Sequence, residues 1–192
     1  MKTVAIAEDE PITRMDICAM LEDLGFSVAG EAADGFDAIE LCRRTKPDVI
    51  LMDVKMPVFD GLAAAETICR EELAGCVVML TAFSDEEIVD RAARAGVTGY
   101  LVKPIDRSKL LPTIEVAYAQ SCRLRESRRE AEEAQKKLKE DREIHKAQRL
   151  FAQQQHCTNT EAYEMMRKLA MNKRVTLHTI ARAILEQEAG TK

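Results

Sequence analysis

The chain has no apolar run approaching the roughly 18 residues that a membrane-spanning helix requires. Its first apolar stretch meets acidic residues at Glu8 and is too short for a signal peptide. The six cysteines form no C-x-x-C pair, and the three histidines lack the spacing of metal ligands. We therefore expect a cytoplasmic protein with reduced thiols, no membrane contact and no zinc site.

Charge is divided unevenly along the 192 residues. Residues 1–120 contain 12 Lys and Arg against 22 Asp and Glu, a net charge of −10. Residues 121–192 contain 16 against 11, a net charge of +5. The length suits one ordinary domain plus a small second module. The basic tail hints at an anionic partner, although a moderately basic surface also arises by chance.

A continuous apolar run, Val49–Met52, is too short for a helix and predicts a strand buried on both faces. Asp53 ends this strand, and Glu8 and Asp9 follow the first apolar strand, Val4–Ala7. If the two strands are neighbours in a parallel sheet, three carboxylates meet at its carboxyl edge, where ligands bind. Their repulsion calls for a hard cation, and oxygen ligands with open positions favour Mg²⁺.

A hydroxyl and a lysine are expected at the same edge. Thr81 ends the fourth predicted strand, and Lys103 follows the last one. Acids, a hydroxyl and an ammonium at strand ends are suited to taking a phosphoryl group onto an aspartate. Taken singly, each has an ordinary alternative: Asp53 as a solvent-facing acid, Thr81 as a hydroxyl with its hydrogen bonds satisfied, and Lys103 as a surface cation. Tyr100, near the end of the last predicted strand, has the ordinary alternative of a core aromatic.

Apolar runs alternate with amphipathic stretches over residues 1–120, which predicts five strands and five helices in a doubly wound α/β fold. The five-stranded parallel sheet is expected to be followed by a long helix and a small all-α three-helix bundle. The predicted strands are Val4–Ala7, Phe26–Ala29, Val49–Asp53, Cys76–Leu80 and Val97–Val102.

Residues 1–120 resemble the receiver domain of bacterial two-component response regulators. The motifs that carry the resemblance are Glu8-Asp9, Asp53 with Met56-Pro57 and Gly61 after it, Thr81-Ala82, Tyr100, and Lys103-Pro104. The resemblance implies strand order 2-1-3-4-5 and phosphorylation of Asp53 by a sensor histidine kinase. It also implies Mg²⁺ between Asp9, Asp53 and the backbone carbonyl of Lys55, with Glu8 acting nearby or through water.

The resemblance also assigns roles to the switch residues. Lys103 would hold a phosphoryl oxygen, and the Lys103–Pro104 peptide bond is expected to be cis. Thr81 would hydrogen-bond the phosphoryl group and move the loop that begins at Ala82, which leaves Tyr100 space to turn inward. The change would reach the face formed by helix four and strand five, and we expect a homodimer on phosphorylation.

Residues from about 110 to 149 contain no Gly and a single Pro, Pro112, and they predict a long linker helix over 112–149. One interpretation, which we prefer, is a weak coiled coil that dimerises the chain. The other is a single solvated helix stabilised by i,i+4 charge pairs, because half of the seam is polar. One heptad frame aligns Leu110, Ala117, Leu124, Ala131, Leu138 and His145, and the partner edge begins at Ile114.

Residues 144–185 resemble the ANTAR domain, a three-helix RNA-binding module that acts in transcription antitermination, and we expect this module to span 143–188. The matching segments are Ile144–Ala147, Thr160–Tyr163, Arg167–Met171, Leu177 and Ile180-Ala181. The resemblance implies hairpin RNA in nascent transcripts as the partner. The candidate RNA-binding residues are Lys146, Ala147, Arg149, Arg167, Lys168, Met171, Lys173 and Arg174.

The expected role is thus that of a non-enzymatic, phosphorylation-dependent antiterminator. The alternative is a response regulator whose helical tail binds DNA or a protein partner. A DNA-reading helix needs polar residues that reach base edges. The last predicted helix, 176–187, offers Arg182 as its only Lys or Arg, which fits that role poorly.

Overall fold

The computed structural model describes residues 1–82 and 86–189. The chain divides into two compact units, Met1–Glu126 and Ser127–Lys192. Among the residues described, no helix combines the length and the apolar character that crossing a bilayer requires.

The first unit is built on a five-stranded parallel sheet. Its strands are β1 Thr3–Ala7, β2 Ser27–Ala32, β3 Val49–Asp53, β4 Cys76–Thr81 and β5 Gly99–Val102. The strand order is β2-β1-β3-β4-β5, which is the order that the resemblance to receiver domains implies. The order changes direction between β1 and β3, so a crevice opens at their carboxyl ends, where ligands bind in sheets of this kind.

Helices cover both faces of the sheet. They are α1 Pro11–Asp23, α2 Gly35–Thr45, α3 Gly61–Arg70, α4 Glu86–Ala95 and α5 Arg107–Gln154. Residues of α2, α3 and α4 pack with Ile50 and Met52 of β3 in one apolar cluster. Residues of α1 and α5 pack with Val49 and Leu51 in the other. This two-sided burial explains why β3 is apolar at every position before Asp53.

Two strand boundaries differ from the prediction by two residues or more, and three others differ by one residue. β2 continues to Ala32 instead of ending at Ala29, and Gly30 pairs with Ala5 although glycine is depleted in strands. β5 begins at Gly99 instead of Val97, because the Val97 amide donates to the Ala92 carbonyl and completes the end of α4.

The second unit is helical, as predicted. It contains the C-terminal part of α5 together with α6 Asn159–Lys173 and α7 Leu177–Ala189. The three segments share one apolar core of Ala147, Met166, Ala170, Ile180, Ala181 and Ile184. Thr158 accepts a hydrogen bond from the Glu161 amide at the start of α6, and the Glu161 carboxylate bonds back to the Thr158 amide.

The long helix is confirmed, but part of its predicted seam serves another purpose. Leu110, Ile114 and Ala117 are fully buried against the sheet, so they are not available to a second helix. Leu124 and Leu138 are about half exposed. Pairing of two such helices therefore stays a prediction that rests on the later part of α5.

Replacing Thr158 with Ala removes the reciprocal cap of α6 and should lower local stability by about 1 kcal/mol. Amide hydrogen exchange across the first turn of α6 should become faster. Thr160→Ala is the matched control, because Thr160 is exposed and lies in the same turn without capping it. Equal exchange in the two variants would show that the cap contributes nothing measurable.

Candidate functional site

Four strands deliver polar side chains to one edge of the sheet. Glu8 and Asp9 directly follow β1, Asp53 ends β3, Thr81 ends β4, and Lys103 follows β5. Glu8, Asp53 and Thr81 are buried, with Glu8 only 1% exposed. Burying acids at this edge is costly unless a cation meets them, so their surroundings decide what the site can do.

Lys103 is the cation that meets the acids. Its Nζ donates a hydrogen bond to Asp53 Oδ2 at 2.8 Å and lies 2.6 Å from Glu8 Oε2. Burial lowers the pKa of Lys103, but the carboxylates of Asp53 and Glu8 outweigh this effect and raise that pKa overall. The ammonium therefore stays charged at neutral pH.

The acid cluster has more negative charge than Lys103 can neutralise. Glu8, Asp9 and Asp53 each offer an oxygen, and these oxygens all lie within 4.8 Å of one another. The contact between Lys103 and Glu8 Oε2 lacks hydrogen-bond geometry, so this buried oxygen has no hydrogen-bond donor among the described residues. Burial raises the pKa of Glu8, and Lys103 lowers it only in part.

These observations match the needs of a hard divalent cation. The buried carboxylate of Glu8, two further carboxylates and the exposed position of Asp9 offer oxygen ligands and room for water. The residues present therefore fit Mg²⁺. Lys55, whose backbone carbonyl is predicted to take part, lies in the exposed segment two residues after Asp53.

The switch candidates lie on β4 and β5. The Lys103 amide donates to the Thr81 carbonyl at 2.8 Å, which ties the ends of the two strands together, and Ala82 follows as an exposed residue. Tyr100 is 52% exposed and borders a cleft of about 500 Å³ that Thr81 also lines. The cleft offers space for the predicted inward turn of Tyr100. The Lys103–Pro104 bond is cis, as expected.

Arg14 and Gly61 support the site through the backbone segments that carry its acids. The Arg14 guanidinium donates to the Glu8 carbonyl and, through Nε, to Glu31 at 3.0 Å, which steadies the segment carrying the acids. Sequence reasoning missed Arg14, whose only signal is a basic residue one turn into α1.

Gly61 is part of the receiver motif that the sequence analysis names. A Cβ at this position would lie 1.8 Å from the Asp53 carbonyl oxygen, so no larger residue fits without backbone movement.

The candidate RNA-binding residues occupy the second unit, and one of them must be withdrawn. Ala147 has no exposed surface because it packs in the helical core, so it cannot contact RNA. The other seven are exposed: Lys146 and Arg149 on α5, Arg167, Lys168, Met171 and Lys173 on α6, and Arg174 at the end of α6. Arg167 and Met171 are four residues apart and share one face of α6, whereas Arg174 is the left-handed residue that caps the end of the helix.

Comparison with known proteins covers both units. The response regulator receiver domain family matches residues 4–115, and the ANTAR domain family matches residues 132–185. The transcriptional regulatory protein PdtaR of Mycobacterium tuberculosis is 38% identical over 185 residues, which cover 96% of this chain and 90% of that protein.

Solved structures match the first unit. The receiver domain of sensor histidine kinase PA1611 from Pseudomonas aeruginosa, which holds a magnesium ion in its active site cleft, is 32% identical with a TM-score of 0.56. The match covers 62% of this chain and 98% of that one. A chain of the CheX–CheY–BeF3–Mg²⁺ complex from Borrelia burgdorferi is 27% identical with a TM-score of 0.56, covering 59% and 86%.

The acid cluster predicts a response to Mg²⁺ that depends on Asp9. A cation that binds the folded state and not the unfolded state stabilises it by RT ln(1 + L/Kd), where L is the free cation concentration, so Mg²⁺ should raise the melting temperature of the wild-type chain as its concentration increases. Asp9→Asn removes one charged ligand and should abolish most of this increase. Glu10→Gln is the control, because Glu10 is exposed and lies outside the cluster. Thermal unfolding with and without Mg²⁺ measures the effect, and an unchanged increase in Asp9→Asn would remove Asp9 from the ligand set.

Proposed function

Because this chain belongs to the response regulators that join a receiver domain to a C-terminal ANTAR domain, we propose that it is a phosphorylation-dependent antiterminator that binds hairpin RNA in nascent transcripts. This domain combination is a regulatory, non-catalytic architecture that acts in transcription. We assign residues 1–120 to the receiver, 112–149 to the linker helix and 143–188 to the RNA-binding module.

The convergence of Asp53, Glu8, Asp9 and Lys103 at one sheet edge carries the proposal. An Asp53 carboxylate oxygen attacks the phosphorus of a phosphohistidine on a sensor histidine kinase. The new P–O bond forms as the P–N bond to the histidine breaks, and the histidine nitrogen leaves with the bonding electron pair. Lys103, which already bonds Asp53, binds a phosphoryl oxygen and offsets its charge.

Mg²⁺ held by Glu8, Asp9, Asp53 and the Lys55 carbonyl would neutralise the charge that gathers on the phosphoryl oxygens. The chain's own contribution is to hold these acids in place. Strands β1 and β3 lie side by side and are buried at Val4–Ala7 and Val49–Asp53, so the acids at their carboxyl ends have little freedom to move apart. Arg14 adds a hydrogen bond to the backbone of the same segment.

The signal leaves the site through β4 and β5. Thr81 turns its hydroxyl to the phosphoryl group, the segment at Ala82 follows, and Tyr100 moves into the adjoining cleft. Burial of Thr81 and exposure of Tyr100 are both consistent with a state before this change. The altered face of α4 and β5 then favours a homodimer, in which two RNA-binding modules hold a pair of hairpins and prevent a terminator from folding.

The exposed basic residues of the second unit support RNA as the partner. Hairpin loops present unstacked bases between phosphates, and a surface of Lys and Arg beside Met171 and Tyr163 suits both. Duplex DNA is the less favoured partner. Helix α7 carries Arg182 as its one Lys or Arg, together with Glu186 and Glu188. Such a helix presents few hydrogen-bonding side chains suited to reading the base edges in a major groove.

Asp53→Asn should prevent phosphorylation, because an amide cannot attack the phosphoryl donor. With acetyl phosphate and Mg²⁺, phosphate-affinity electrophoresis should reveal a shifted species for the wild type and none for the variant. Asp16→Asn serves as the control, since Asp16 is an exposed acid on α1 away from the cluster. A shifted species in Asp53→Asn at the wild-type level would place the acceptor elsewhere.

Arg167→Ala should weaken binding of a hairpin RNA and reduce the slope of log affinity against log salt by about 1, as expected for one lost phosphate contact. Filter binding of the beryllofluoride-treated chain over a range of salt concentrations measures both quantities. Arg44→Ala removes an exposed arginine of α2 and should leave both unchanged. Tighter binding of duplex DNA than of hairpin RNA by the wild type would favour the alternative.

A further inference from the structure

A second charged feature of the helical unit is not explained by the residues considered so far. A cleft of about 400 Å³ is walled by α5 on one side and α7 on the other. The lining residues that the structure describes are all ionisable, unlike the mostly apolar lining of small-molecule pockets. They are Lys136, Lys139, Glu140 and Glu143 of α5, and His178 and Arg182 of α7.

A short contact holds the two walls together. His178 Nε2 lies 2.7 Å from Glu143 Oε2, and both side chains are half-buried. Arg182 lies one turn beyond His178, whereas Lys139 and Lys136 lie one and two turns before Glu143. Since all of these residues line one cleft, α7 runs antiparallel to this part of α5. The cleft thus combines the cations of Lys136, Lys139 and Arg182 with the carboxylates of Glu140 and Glu143, which offset them only in part.

The cations are available to a ligand. Lys136 and Lys139 are exposed, and neither makes a hydrogen bond or ion pair with a residue that the structure describes. Arg182 contacts Glu186 through Nη2, so its Nε and Nη1 atoms take no part in that contact. The pKa of Glu143 is lowered, first by the hydrogen bond from His178 and further by the charges of Lys139 and Arg182. The fields of these two cations therefore overlap within the cleft.

We propose that this cleft binds a backbone phosphate of RNA through Lys136, Lys139 and Arg182. The planar guanidinium suits two phosphate oxygens at once, and the lysines add point charges beside it. The inference rests on the proposed RNA-binding function and extends it to residues outside the candidate set given above. Contacts to the backbone fix the position of an RNA without selecting its sequence.

The test compares two double variants of the full chain that lose the same charge. Lys136→Ala with Lys139→Ala removes two cleft cations, whereas Arg128→Ala with Lys137→Ala removes two exposed cations of the same helix outside the cleft. Circular dichroism should report the same helical content for both. Filter binding of hairpin RNA over a range of salt should reveal a slope of log affinity against log salt that is lower by about 1 in the cleft variant alone, because one phosphate contact is lost. The loss should be equal for hairpins with different loop sequences.

Several outcomes would overturn the inference. Equal slopes in the two double variants would overturn it while leaving the proposed function intact. Binding of inorganic phosphate or polyglutamate that is lost in the cleft variant, with RNA binding unchanged, would assign the cleft to free phosphate or to an acidic protein. A wild-type chain that binds no hairpin RNA at low salt would overturn the proposed function and the inference together.

Discussion

Repulsion among three carboxylates at one edge of a sheet is the constraint on which the first unit depends. Glu8, Asp9 and Asp53 are held within reach of one another because β1 and β3 are neighbours, and Lys103 offsets only part of their charge. The apolar clusters on both faces of the sheet must stabilise the fold against this repulsion. The same uncompensated charge makes the edge receptive to a divalent cation and, with it, to a phosphoryl group.

The two units differ in the kind of chemistry that their charge supports. The acidic unit keeps most of its functional charge buried and shared among a few atoms, which suits a small ion and a single covalent change. The basic unit presents its charge on exposed helix faces, which suits a long polyanion with many weak contacts. His178 and Glu143 are an exception, since their half-buried contact joins two helices around the charged cleft.

Sequence patterns identified most of the site because strand ends are easy to recognise. An apolar run followed by an acid places Asp53 at the carboxyl edge of a buried strand whatever the details of packing. The apolar spacing of a helix led to wrong assignments where the same spacing is compatible with two kinds of packing. Leu110 and Ala117 match a heptad seam, but the same spacing also describes a helix packed on a sheet. Ala147 lies among charged residues in the sequence and points into the core.

The sequence by itself determined the alternation of strands and helices, the acids and the lysine at strand ends, and the helical character of the basic tail, because each follows from local periodicity. The strand order followed only from the resemblance to receiver domains, which rests on motifs in a fixed order. The tertiary structure alone decided which oxygen of Glu8 pairs with Lys103, that Arg14 steadies the acidic segment, and that α5 and α7 enclose a charged cleft. These depend on contacts between residues far apart in the chain, and spacing along one helix carries no information about what faces it from another.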